Sequence, residues 1–254
     1  MKAMVFAAGL GTRLRPFTDD RPKALVTVAG RTLLEITLSR LRTFGVREVI
    51  VNVHHFADQI VAYLAANRNF GMRIEVSREE SLLDTGGGLK KAAWFFLDGK
   101  SPDDPTLQPF ILHNVDIVST IDIDRLAAAH RAGNALSTFA VQDRETVRYL
   151  LFDEQGILCG RRNGRDGPVK LVRPVASQHA LAFSCIHVVS PRIFAKLTEE
   201  GAFSIIDAYL RLVAQGEKIA SLRADGAYWR DLGRPNDLIA AERDVADGTY
   251  PAIK

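Results

Sequence analysis

Residues 4–25 read MVFAAGLGTRLRPFTDDRPKAL, and the fold turns on how this stretch is read. Met4-Val5-Phe6-Ala7 is a short apolar run of the kind that forms a buried strand. It opens directly into Gly9-Leu10-Gly11, followed by Arg13, Arg15 and, past Pro22, Lys23. Without a Cβ, Gly9 and Gly11 let the main chain take positive φ and approach a ligand closely. Successive amides in such a turn, from Ala8 through Thr12, form an anion-binding concavity. Arg13 and Arg15 add planar, permanently charged forks suited to phosphate oxygens, and Lys23 adds a compact point charge. A buried strand that delivers a glycine turn and several cations reads as a grip for a polyphosphate.

Two better-known phosphate loops have other spacings. G-x-x-x-x-G-K-[ST] does not occur. G-x-G-x-x-G fails because position 14 is Leu. That fingerprint also expects an acid at the tip of the second strand. Here the run Glu48–Val53 leads into His54-His55-Phe56. An NAD-binding module is therefore the weaker alternative, and it would predict nicotinamide-cofactor binding without Mg2+.

Outward from the loop, apolar strand patterns alternate with helical ones. Lys2–Ala7 reads as a strand, Leu33–Phe44 as a helix stopped by Gly45, and Glu48–Val53 as a strand. Ile60, Val61 and Leu64 mark a helix, and Arg73–Val76 a strand. Asp84-Thr85-Gly86-Gly87-Gly88 then precedes a helix near Leu89–Phe96. Trp94, Phe95 and Phe96 read as core. Phe110–His113, Asp122–Ala132 and Ala135–Val141 continue the alternation. Tyr149–Phe152, Ile157–Cys159 and Val169–Val172 are short pieces broken by Asn163-Gly164 and Asp166-Gly167, which suggests an antiparallel insertion. Leu181–Val189 returns as a long apolar strand. Helices follow at Pro191–Leu197, Ile205–Gln215 and Pro235–Asp247, the last begun by proline. The expected fold is α/β and Rossmann-like, with a doubly wound, mixed, mostly parallel sheet and a small antiparallel β insertion. In such sheets ligands sit beyond the carboxyl ends of the strands. The loop, Asp84–Gly88, Asn114 and Asp116 all follow strands.

Asp116 stands just past the strand Phe110–His113, where a carboxylate suits a hard dication that also meets phosphates. A turn or cap aspartate is the plainer alternative. Asp84–Gly88 is either a flexible turn or a place where glycines let the backbone reach a nucleobase edge. His54 and His55 point to opposite sides of an extended chain, so packing near the loop is favoured over a metal site. His113 reads as a core histidine.

Gly9, Gly11, Thr12, Arg13, Leu14, Arg15, Pro16, Thr18, Pro22 and Lys23 resemble the signature loop of the sugar-phosphate nucleotidyltransferases. Tyr228-Trp229-Arg230-Asp231-Leu232-Gly233 resembles that family's W-x-D-x-G motif. The resemblance implies a nucleotide-diphospho-sugar transferase fold and a Mg2+-dependent enzyme. Such an enzyme joins a nucleoside triphosphate to a sugar 1-phosphate and releases pyrophosphate. It implies Arg13 and Lys23 as catalytic cations and Asp116 and Asp231 as metal ligands. Ala8, Gly9, Gly11, Thr12, Arg13, Asp84, Gly86 and Gly87 would contact the nucleotide, and Lys23, Asn114 and Lys170 the second substrate. The family's glycine before Asp116 is Val115 here, and its Glu-Lys-Pro tripeptide is missing; Arg162, Lys170 and Arg173 are possible substitutes. No hexapeptide repeat appears, so the acyltransferase β-helix of some relatives is not expected.

VNVHHFADQI at 51–60, the DTGGG segment and LAFSCIHVVSP at 181–191 place the resemblance nearest to N-acetylmuramate-1-phosphate uridylyltransferases, with mannose-1-phosphate guanylyltransferases beside them. UTP and N-acetylmuramate 1-phosphate are the favoured substrates, in cell-wall peptidoglycan recycling. Mannose or glucose 1-phosphate with another triphosphate is the runner-up, and a non-catalytic sugar-nucleotide sensor is the alternative of another class. One domain is expected, with about 1–145 as the nucleotide-binding half and about 146–254 as the sugar-binding half.

Composition narrows the rest. The 254 residues are 47% hydrophobic, which leaves no case for disorder. The net charge of +3 is small, and the 33 basic residues are scattered, which argues against nucleic-acid binding. Cys159 and Cys185 form no metal-type pair and suit a reduced, cytoplasmic chain. No run approaches the ~18 apolar residues of a membrane span. The first apolar run is too short for a signal peptide. A monomer or weak homodimer is expected.

Overall fold

The computed structural model describes residues 1–250. Its chain gathers into two compact units that interleave in sequence. The first holds Met1–Leu83, Leu112–Ile121 and the chain from Ala227; the second holds Asp84–Ile111 and Asp122–Gly226. In chain order the elements are β1 (Lys2–Phe6), β2 (Thr27–Val28), β3 (Arg31–Thr32), α1 (Leu33–Thr43), β4 (Glu48–Val53), α2 (Ala57–Ala66), β5 (Arg73–Arg78), α3 (Asp84–Lys91), α4 (Ala93–Leu97), β6 (Phe110–Asn114) and β7 (Ile117–Ser119). There follow α5 (Ile123–Gly133), β8 (Ser137–Gln142), β9 (Arg148–Phe152), β10 (Leu158–Asn163), β11 (Val169–Leu171), β12 (His179–Val189), α6 (Ile205–Ala214), β13 (Ile219–Arg223), β14 (Trp229–Asp231) and α7 (Pro235–Ala246). The α/β class and the mixed sheet expected from the sequence are both present.

In the first unit β1 pairs parallel with β4 and β4 with β5, in registers Val5↔Val51 and Val51↔Val76. Strand β4 is buried at every position but its first, and Ala3, Met4 and Val5 of β1 are fully buried. Strands buried on both faces read as continuous apolar runs, which is why these two stood out in the sequence. Helix α1 is entered through a side-chain cap, where Thr32 Oγ1 accepts from the Glu35 N–H at 3.1 Å. The Glu35 carboxylate turns instead to Arg31 and Tyr63. Gly45, at φ 74°, lets the chain leave that helix.

In the second unit β8 pairs parallel with β13 and antiparallel with β12, while β9, β10 and β11 form the antiparallel insertion. A cut near residue 145 does not separate the two units. Strand β14 pairs with β7, Asp231 opposite Ile117, so the chain from Ala227 folds with the first unit. The Gly86 N–H donates to the Phe203 carbonyl at 2.8 Å, and Lys90 Nζ to the Glu199 carbonyl at 2.7 Å, so α3 folds with the second.

Two local expectations change. The glycine triplet lies inside α3 rather than before it, and the helix expected near Leu89–Phe96 is broken at Ala92 into α3 and α4. Phe95 and Phe96 are core, but Trp94 is 54% exposed, on the outward side of the single turn that α4 makes.

Candidate active site

The loop after β1 is built as its glycines suggested. Gly11 has φ 67°, and its carbonyl accepts from both the Leu14 N–H and Thr18 Oγ1, each at 2.9 Å. A Cβ on Gly11 would lie 3.0 Å from the Thr18 methyl, so this turn excludes larger residues twice over. Leu14, fully buried, pins the single helical turn Thr12–Leu14, which leaves Arg13 and Arg15 on the surface side. Arg15 faces Asp19 at 3.3 Å. Arg13 instead lies over Gly233, where a Cβ would sit 3.1 Å from its Nη2.

Lys23 leaves the loop at a short turn begun by Pro22 and is largely buried, with its ammonium paired to the Asp116 carboxylate. Asp116 sits between β6 and β7. The Val115 N–H bonds to the Phe6 carbonyl, 3.1 Å, and the Asp116 carbonyl accepts from the Leu232 N–H, 2.8 Å. Val115, standing where the family pattern has glycine, turns its side chain into the core, 4% exposed. The missing glycine thus leaves Asp116 beside Lys23.

Asp231 reaches the same place by the antiparallel pairing of β14 with β7. Its Oδ1 is buried and has no hydrogen-bond partner among the described residues. Burial, and then the Asp116 carboxylate, push its pKa above the ordinary carboxylate value, while Lys23 and Arg13 pull it back. Two carboxylates and two cations from four separate segments therefore act on one another. The sequence could propose Asp116 and Asp231 separately; their proximity depends on a strand pair more than a hundred residues apart in the chain. Gly233 adds a role the motif alone did not reveal. A Cβ there would stand 2.9 Å from Asp231 Oδ1, so only glycine leaves room between that oxygen and the Arg13 guanidinium.

Other candidates are less engaged or engaged elsewhere. Asn114 ends β6, and its carbonyl lies 2.8 Å from His113 Nδ1. His113 is core, as expected, and burial depresses its pKa to about 4. His54 packs beside the first unit's sheet through Nδ1 and the Glu79 carbonyl, 2.8 Å, and the His55 ring lies against Phe56. In the second unit Asp84 has φ 55°, and Gly86, Gly87 and Gly88 are all buried. The Gly86 amide is taken by Phe203, and a Cβ there would overlap the Phe203 ring. Gly86 therefore serves close packing, and its N–H is not free for a base. Lys170 is exposed on β11. Arg173 is committed within the insertion, to Asp153 and to the Leu158 and Ile157 carbonyls, both 3.1 Å. The Arg162 guanidinium lies 5.3 Å from the Tyr149 ring centre. Glu79, buried beside Asn52, escaped the sequence reading, since no local pattern marks it.

Residues 2–154 match the nucleotidyl transferase family. The chain is 34% identical over 252 residues to the N-acetylmuramate alpha-1-phosphate uridylyltransferase of Caulobacter vibrioides, covering 96% of this chain and 97% of that protein. The chain belongs to the nucleotidyl transferase family. The mannose-1-phosphate guanylyltransferase of Mycobacterium tuberculosis is 27% identical, over 98% of this chain and 66% of its own length. Among solved structures, HddC from Yersinia pseudotuberculosis, complexed with GMP-PN, aligns with a TM-score of 0.74 at 21% identity, covering 96% of this chain and 98% of that one. At that identity the likeness concerns the fold. Among the described residues no helix is long and apolar enough to cross a membrane, and no three His, Cys, Asp or Glu residues cluster as metal ligands.

Proposed function

We propose that this nucleotidyltransferase moves the uridylyl group of UTP to N-acetylmuramate 1-phosphate and releases pyrophosphate. The observation that carries the reaction type is the meeting of Asp231, with its unpartnered buried oxygen, with Asp116, Lys23 and Arg13. The choice of sugar and base rests on the 34% identity to the Caulobacter enzyme across nearly the full length of both chains.

The loop amides from Ala8 to Thr12 and the Arg13 guanidinium hold the triphosphate tail. Lys23 neutralises the phosphate at which exchange occurs. A sugar-phosphate oxygen attacks the α-phosphorus in line; a new P–O bond forms as the bond to pyrophosphate breaks. That oxygen is already anionic, so no general base is needed, and positioning and electrostatics supply the rate. A pair of carboxylates with an oxygen in want of a partner fits a hard dication such as Mg2+, which is usually held by one or two carboxylates with phosphates and water. Asp116 and Asp231 would hold it, and when bound it supplies charge that offsets the repulsion between the two anionic substrates. Asn114 and Lys170 are the proposed contacts to the sugar phosphate, and Asp84 and Gly87 those to the nucleoside. Neither Cys159 nor Cys185 is in a disulfide, which suits a reducing cytoplasm.

The test is pyrophosphate release with Mg2+ across a panel of triphosphates and sugar 1-phosphates. UTP with N-acetylmuramate 1-phosphate should give the highest kcat/KM. GTP with mannose 1-phosphate as the best pair would move the assignment to the runner-up. No release with any pair would leave a sugar-nucleotide sensor.

A further inference from the structure

Asn52 interrupts the apolar run of β4 yet is 3% exposed, and Glu79, one residue past β5, is 5% exposed. Polar groups so deeply buried are kept only when hydrogen-bonded. Theirs form a single chain with a fixed direction. The Ala7 N–H donates to Asn52 Oδ1 at 2.8 Å. Asn52 Nδ2 donates to Glu79 Oε1 at 2.8 Å. The Leu83 N–H donates to Glu79 Oε2 at 3.0 Å. Glu79 is itself held at its backbone, its N–H on the Val53 carbonyl at 2.8 Å and its carbonyl beside His54 Nδ1. Ala7 immediately precedes the amides of the glycine loop, and Leu83 immediately precedes Asp84.

We infer that Asn52 and Glu79 are positioning residues, a buried clasp that sets the main chain where the glycine loop begins and so fixes the triphosphate-binding amides. The inference rests on the nucleotidyl-transfer reading. The clasp has one workable polarity. Both ends are backbone N–H donors, so the two side chains must accept at each end and still have one donor between them. An amide at 52 with a carboxylate at 79 provides this. Asn52→Asp sets two anions face to face unless the pair takes up a proton that the native amide–carboxylate pair does without. Glu79→Gln leaves two donors opposed, either between the side chains or against a backbone N–H, and flipping either amide only moves the clash. The exchanged pair restores the whole chain. The carboxylate now at position 52 would accept from the Ala7 N–H and from the amide now at position 79, whose own oxygen would accept from the Leu83 N–H. Net charge is unchanged by the exchange.

The experiment compares N52D, E79Q and the double variant N52D/E79Q. Three measurements are made on each: steady-state kinetics with both substrates varied, amide hydrogen exchange at the Ala7–Gly11 segment, and thermal unfolding. Each single variant should raise KM for the triphosphate about tenfold and leave KM for the sugar phosphate unchanged, the size expected for one unmade buried hydrogen bond. Exchange at Ala7 should quicken in N52D, where the displaced side chain is the acceptor of the Ala7 N–H. The double variant should return to within about threefold of the native KM and to native exchange, because the two changes are coupled rather than additive. Single variants with native KM and native exchange at Ala7 overturn the clasp. So does a double variant as impaired as its two parents together. If the single variants do not fold, a double variant with the native melting temperature and native exchange upholds it, and one that also fails to fold overturns it. If the native protein releases no pyrophosphate from any substrate pair, the functional reading fails, and the exchange measurements still decide the clasp.

Discussion

Gly233→Ala asks how tightly the candidate site is built. No positive φ holds Gly233, so the backbone accepts alanine, and the conflict is confined to the new methyl. That methyl would lie 2.9 Å from Asp231 Oδ1 and 3.1 Å from Arg13 Nη2, where ordinary contact begins at 3.4 Å. The carboxylate oxygen must therefore retreat by about 0.5 Å (3.4 − 2.9) and the guanidinium by about 0.3 Å (3.4 − 3.1). Arg13 is exposed and can swing away cheaply. Asp231 is not so free, because β14 fixes its backbone against β7. Catalytic groups must be held to roughly 0.5 Å of their working geometry, and an error of about 1 Å can cost about a hundredfold. A displacement of about half that size, with the cation drawn off the phosphates, is expected to lower kcat about tenfold to thirtyfold, or roughly 1.4 to 2 kcal/mol of transition-state stabilisation. Stability should hardly change, since a tolerated Gly→Ala replacement itself contributes about 0.4 to 1 kcal/mol through the unfolded chain. The assay is pyrophosphate release at saturating substrates beside thermal unfolding of the same preparation. Native kcat in the folded variant would refute the placement of Arg13 and Asp231 at the reacting phosphates. So would a loss of kcat no larger than a matching loss of folded protein.

Two further outcomes follow from burial. Asp231→Asn removes a carboxylate whose charged form is disfavoured by burial and by Asp116, so the variant should melt no lower than the native protein. It should nonetheless lose on the order of 10² to 10³ in turnover, as when one electrostatic group at a reacting centre is removed; a variant less stable and equally active would reverse the assignment. His130, 3% exposed against Thr138 Oγ1 at 3.0 Å, has its pKa lowered from 6.5 to about 4, first by burial and then by Arg192 and Arg131. The unfolded chain binds the proton first, so this stability is present above pH 6.5 and is lost as the pH falls toward 4. The loss amounts to about 2 kcal/mol between pH 7 and pH 4.5. Denaturant unfolding of His130→Asn should show a correspondingly shallower decline over that range, and an equal decline would show that His130 does not titrate there.

What could be read from the sequence was whatever a short segment carries within itself. The glycine loop is such a case, because a buried strand, a φ of 67° at Gly11 and the cations that follow all lie within twenty residues. So are the apolar runs of β1 and β4. What could not be read is set by pairing at a distance. Asp116 and Asp231 act on each other only because β7 and β14 pair. Glu79 is indistinguishable from a surface glutamate until Asn52 and Leu83 are found around it. The DTGGG segment shows the opposite failure. A glycine triplet is permissive in isolation, so it suggested an open turn, yet it lies within the first turns of α3, where Phe203 leaves no room for a side chain at Gly86. A glycine marks that something comes close and does not say what. At Gly11 the close neighbour is the loop's own Thr18, at Gly86 a packing ring, and at Gly233 the Asp231 carboxyl and the Arg13 guanidinium. The last of these sits beside the residues proposed for catalysis, and in the sequence it is only the final letter of a weak motif.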